Sequence, residues 1–173
     1  MNDKRNWGLT PSLLERINVA IGRVSAWLAV LMVIVTFIIV VLRYALDLGW
    51  IWLQETVVWM HAAVFMLAAA YTLARDGHVR VDVFYRNFGP RRQALVDALG
   101  ALIFLIPFCG FLLWSSWDYV AVSWSIQESS REAGGLEFPL PSLMKSFIPL
   151  MAALLMLQAL VVLARSIRTL RSS

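Results

Sequence analysis

Besides hydroxyls, Tyr71 and Cys109, two polar side chains stand inside long apolar stretches of this sequence: His61 and Gln158. No carboxylate, lysine or arginine accompanies them there. Ion and proton pathways through a bilayer ordinarily rest on such charges held inside a helix bundle, so the usual parts of a self-sufficient pump are missing. A haem centre fares no better. His61 and His78 are 17 residues apart, about 25 Å along one helix, too far to clamp one iron from the same chain. His61 is therefore read as a bundle-facing side chain hydrogen-bonded to a neighbouring helix, ahead of a ligand or proton relay, with Gln158 as a second intramembrane polar contact. The single cysteine, Cys109, excludes an intrachain disulfide, a CxxC motif and a thiolate metal site. No catalytic triad, metal spacing or phosphate-cradling glycine pattern occurs, so neither enzyme activity nor a cofactor is expected.

Three other groups of residues lie nearer the ends of the apolar stretches. Trp52, Glu55 and Trp59 recur at spacings of three and four and share one helical face. That face suits a partner, but interfacial tryptophans beside a helix-initiating carboxylate would give the same pattern, and both readings stay open. The segment from Asp118 to Lys145 holds Asp118, Glu128, Glu132 and Glu137 and is long enough to contact a partner; a solvated loop is the alternative. Glu128 and Glu132 are its candidate contact residues. Between residues 75 and 85, Gly77 is a natural helix stop, and the valines that follow alternate with polar residues. This reads as a short extended segment along a membrane surface, with Arg91 and Arg92 facing lipid phosphates.

The elements that must position these residues are membrane spans. Residues 24–42, 56–74, 98–117 and 146–164 are free of charged side chains, each 19 or 20 residues long. A hydrocarbon core of about 30 Å needs roughly 20 helical residues, so each run can cross. The composition, 60% hydrophobic and 15% charged, agrees. The first run is too long for the core of a secretory signal, and no cleavage pattern follows it. Alternate extramembrane pieces carry twelve basic residues on one side and three on the other, which predicts both termini and the middle loop in the cytoplasm. The net charge of +4 thus serves orientation and not nucleic-acid binding. Tyr44, Trp50, Trp52, Trp59, Trp114, Trp117, Tyr119 and Trp124 gather near the expected outer boundary as an aromatic belt. Ser12 and Glu15 form a capping-box pattern before Leu13, Leu14, Ile17, Ile21 and Val24, which predicts an N-terminal amphipathic helix on the inner surface or an extension of the first span. Pro107 should bend the third span near Gly110, whereas Pro149 is expected in the first turn of the fourth. The expected fold is a single all-α integral membrane domain over residues 1–173 with four transmembrane helices.

Trp52-Leu53-Gln54-Glu55, Ala68-Ala69-Ala70-Tyr71, the loop from Arg75 to Asp82, and Gly134-Gly135-Leu136 together resemble the small, Q-type membrane subunit of tripartite ATP-independent periplasmic (TRAP) transporters. The resemblance runs from about Leu13 to Leu163, and its most specific part is the loop carrying Gly77, His78, Arg80 and Asp82. It implies a secondary uptake system of bacteria and archaea in the cytoplasmic membrane. In such a system a periplasmic receptor captures an organic acid, a large membrane subunit moves it with an ion gradient, and the small subunit braces the large one. It assigns the small subunit no catalytic residue. Two readings from other classes are the membrane anchor of a respiratory complex, opposed by the histidine placement, and a stand-alone four-helix exporter, opposed by the missing intramembrane charge.

Overall fold

The computed structural model describes residues 13–74, 85 and 87–171, and among these it is all-helical. Four long helices follow one another: α1 (Leu13–Ala45), α2 (Ile51–Ala74), α3 (Pro90–Ser125) and α4 (Leu140–Arg171). All four are long and apolar enough to cross a membrane. Each outruns its charge-free stretch, because backbone hydrogen bonding continues through charged side chains that reach the interface. This shifts several residues relative to the helix ends. Glu55, expected at a helix N-terminus, lies inside α2, Asp97 lies inside α3, and Pro149 lies in the interior of α4. Residues 13–23 continue into the first span as one unbroken helix, so they extend that span. Ser12 and its capping box fall outside the described residues.

α4 is the hub of the bundle. It packs against α1, α2 and α3, whereas α1 leans chiefly on α2. The most apolar window of α4 is accordingly 28% buried and that of α1 only 6%. Lipid is as apolar as leucine, so helices in a bilayer associate through close approach of small residues. Ala63, Ala70, Ala152 and Ala159 are buried at the crossings, and Ala70 joins Cys109, Leu154 and Leu155 in one cluster. Gly22 is the tightest crossing: a methyl group there would intrude on the ring of Tyr71. Ser25 donates to the Ile21 carbonyl at 2.9 Å and Thr72 to that of Ala68 at 2.9 Å, each within its own helix. Among the described residues no buried side-chain nitrogen or oxygen lacks a partner.

Pro107 has no N–H to offer the Ile103 carbonyl. α3 absorbs the defect by widening: Ala101–Leu105 form a π-helical turn, closed by the Ile106 N–H on the Ala101 carbonyl. The irregularity therefore precedes Pro107, and Gly110 stands in regular α-helix. At the end of α1, Asp47 takes a φ of +53° and the Leu48 N–H returns to the Leu42 carbonyl at 3.0 Å. The short turn that follows makes α1 and α2 a helical hairpin.

Candidate functional site

The α3–α4 loop and the N-terminal turns of α2 are built as one unit. The first N–H groups of a helix have no partner within it. The Trp52 N–H is satisfied by the Gly134 carbonyl at 3.1 Å, so the loop caps α2. One turn further, Glu55 reaches back. Its Oε2 accepts the Leu136 N–H at 2.7 Å and its Oε1 accepts the Ser130 hydroxyl. The loop also closes on itself, with the Ser130 N–H on the Leu136 carbonyl at 2.8 Å and the Gly135 N–H on that of Glu132 at 3.0 Å.

Glycine is required twice in this unit. Gly134 has a φ of +76°, and a Cβ on Gly135 would stand 2.8 Å from Glu55 Oε2 and crowd Ser130. Leu136 is then seated with 8% of its surface exposed. Sequence reasoning missed the clasping role of Ser130, Gly135 and Leu136. The available signal was the glycine pair before a leucine in an otherwise polar loop, a mark of close backbone approach.

A second set of contacts ties the loop to α3 and α4. Glu128 pairs with Lys145, whose ammonium also lies 4.2 Å from the centroid of the Tyr119 ring. The bond from Lys145, with a smaller contribution from Ser123, holds the Glu128 carboxyl below its ordinary value. Ser123 and Ser142, both buried, join α3 to α4 at 3.0 Å, and Trp124 Nε1 donates to Ser146 Oγ at 3.0 Å. Glu132 has its backbone N–H fixed on Ser130 Oγ at 3.2 Å while its side chain is exposed, as are those of Arg131 and Glu137.

The proposed partner face is thus divided. Glu55 is committed to the loop, Trp59 is half-buried, and Trp52 is exposed and stacked on Trp50 with ring centroids 6.5 Å apart. His61 departs from expectation. It is exposed at the edge of the bundle, on an apolar groove of about 630 Å³ between α1 and α2, and hydrogen-bonds to no described residue. Its position follows from α1 covering only part of α2. Gln158 is where a buried polar contact was expected, 1% exposed in the middle of α4. Gly77, His78, Arg80 and Asp82 lie outside the described residues. Beside that segment, the Tyr85 hydroxyl donates to Asp97 Oδ2 at 2.8 Å, so Asp97 anchors the approach to α3.

The family model for the DctQ component of tripartite ATP-independent periplasmic transporters matches residues 32–169, from the middle of α1 almost to the end of α4. The chain belongs to the DctQ family. Members of this family are small permease subunits of TRAP transporters, which generally work with a large membrane subunit and a periplasmic receptor. With its four apolar helices, this DctQ-family chain is a multi-pass protein of the inner membrane. A C4-dicarboxylate TRAP transporter small permease protein DctQ from Vibrio cholerae serotype O1 is 33% identical over 88 residues, 51% of this chain and 38% of that relative. The match thus spans well under half of the relative's length. No solved structure matches the chain.

Proposed function

We propose that this DctQ-family chain is the fixed brace of a three-part uptake system for an organic acid. It holds the large transport subunit in the bilayer and contributes an outer surface on which the periplasmic receptor docks. The substrate in the relative's name, a C4-dicarboxylate, falls within the proposed class. Both termini and the middle loop lie in the cytoplasm, as the cation count favours.

The observation that supports this reading best is the α3–α4 loop. Glu55 holds the loop backbone at Leu136 and Lys145 pairs with the Glu128 side chain, so Glu132 and Glu137 project from a pre-shaped surface. Preorganisation lowers the ordering cost of docking, and exposed charge steers a soluble partner. The interior suits a brace too: the mid-portions of the spans carry no charged side chain, and among the described residues every buried polar side-chain atom has a partner.

Receptor titration in proteoliposomes holding the complete membrane complex tests the docking role. Glu132→Lys with Glu137→Lys should raise the receptor concentration needed for half-maximal uptake, and added salt should shrink the difference. Neither residue holds the loop through its carboxylate, so the maximal rate should survive. An unchanged titration curve contradicts docking on this surface. Alkaline phosphatase fused after Gly134 should be active, and after Ser173 inactive; activity at Ser173 overturns the orientation.

A further inference from the structure

We infer that the groove between α1 and α2 seats a transmembrane helix of the large subunit, and that this helix brings a hydrogen-bond partner to His61. The inference rests on the brace reading and names the face by which the brace holds its load.

Apolar exposure alone says little in a bilayer, because acyl chains cover Val33, Phe37, Val40 and Val58 at no cost. His61 is different. It lies six residues beyond Glu55 and two beyond the belt residue Trp59, about 9 and 3 Å further along the helix axis, inside the charge-free run that opens at Thr56. Thr36 is the only other polar residue lining the groove, and an acyl chain can neither donate to nor accept from an imidazole. The groove supplies no donor of its own, since the Thr36 hydroxyl is spent on the Met32 carbonyl at 2.8 Å. Polar groups elsewhere in the spans are handled internally: Gln158 is buried within the bundle, and the buried hydroxyls bond within it. His61 thus calls for a protein partner with a polar side chain at the same depth.

The location of the groove fits that occupant. It is lined by residues of α1, the least covered helix, and of α2, and by none of α4. A helix laid there would convert α1 from a peripheral element into an interior one. It would also join two helices of the brace to the load.

The test uses the chain co-expressed with its large subunit, with a photo-reactive residue placed at Val33 or Val58 in the groove, or at Phe104 on α3 as an exposed control. Val33 and Val58 should crosslink to the large subunit and Phe104 should not. His61→Leu should lower the recovery of the large subunit about threefold to tenfold, the range for one hydrogen bond between helices in a bilayer. His61→Gln, which can still donate and accept, should restore most of it. Adducts with lipid alone or with a second copy of the chain, or unchanged recovery with His61→Leu, overturn the inference. If the unsubstituted chain recovers no large subunit, the brace reading fails and takes this inference with it; recovery without the groove crosslinks overturns the inference alone.

Discussion

Glu55 and His61 lie six residues apart on α2, about 120° apart around the helix, and they behave oppositely. Glu55 sits near the end of the span and spends both carboxylate oxygens on the chain's own loop. His61 sits further into the span and spends nothing on the described chain. The contrast separates a residue that makes the fold from one left over for assembly. Both are polar residues in an apolar helix, and composition cannot tell them apart. Accounting for each donor and acceptor does.

The largest expected effect comes from unclasping the loop. Glu55→Ala strands the Leu136 N–H and the Ser130 hydroxyl, each worth about 1–3 kcal/mol where water does not replace the bond. Loop proteolysis in detergent should accelerate and the melting temperature should fall. Glu55→Gln keeps one accepting oxygen and should lie between. Gly135→Ala should reproduce much of the loss without removing the carboxylate, because its methyl group crowds Ser130 and Glu55. Wild-type protection in both Ala variants would erase the contrast between Glu55 and His61.

The sequence revealed the four spans because hydrophobic length is a physical requirement of crossing a bilayer. Helix ends were less legible. A charge-free run stops at the first charged residue, and this made Glu55 look helix-initiating when α2 begins at Ile51. The clasp joins residues about eighty positions apart, a contact that local spacing does not encode. His61 was expected to face inward because a polar residue in a span needs a partner. That requirement holds, but one sequence does not say whether the partner lies in the same chain. Gln158, under the same rule, found burial within its own bundle.

A smaller effect is expected at Glu128, whose pair with Lys145 lies at the rim of the bundle. Its carboxyl is held below the ordinary value in the folded chain. The contribution is therefore fully present above the ordinary glutamate value of about 4.3 and is lost as pH falls through the lowered folded value. Loop protection measured by hydrogen exchange should be insensitive to this pair between about pH 6 and 8 and weaken under acid. Glu128→Gln should remove that part of the acid dependence while leaving the Glu55 clasp in place. An acid response identical in the variant would assign the transition to another group.

The central claim, that this chain braces a transporter without being one, is tested most directly by uptake into proteoliposomes of defined composition. The chain alone should give no uptake under an ion gradient with receptor and organic acid present. The large subunit with receptor should also give none, and adding this chain should restore it. Uptake at the full rate without the chain, or uptake by the chain alone, would contradict the account.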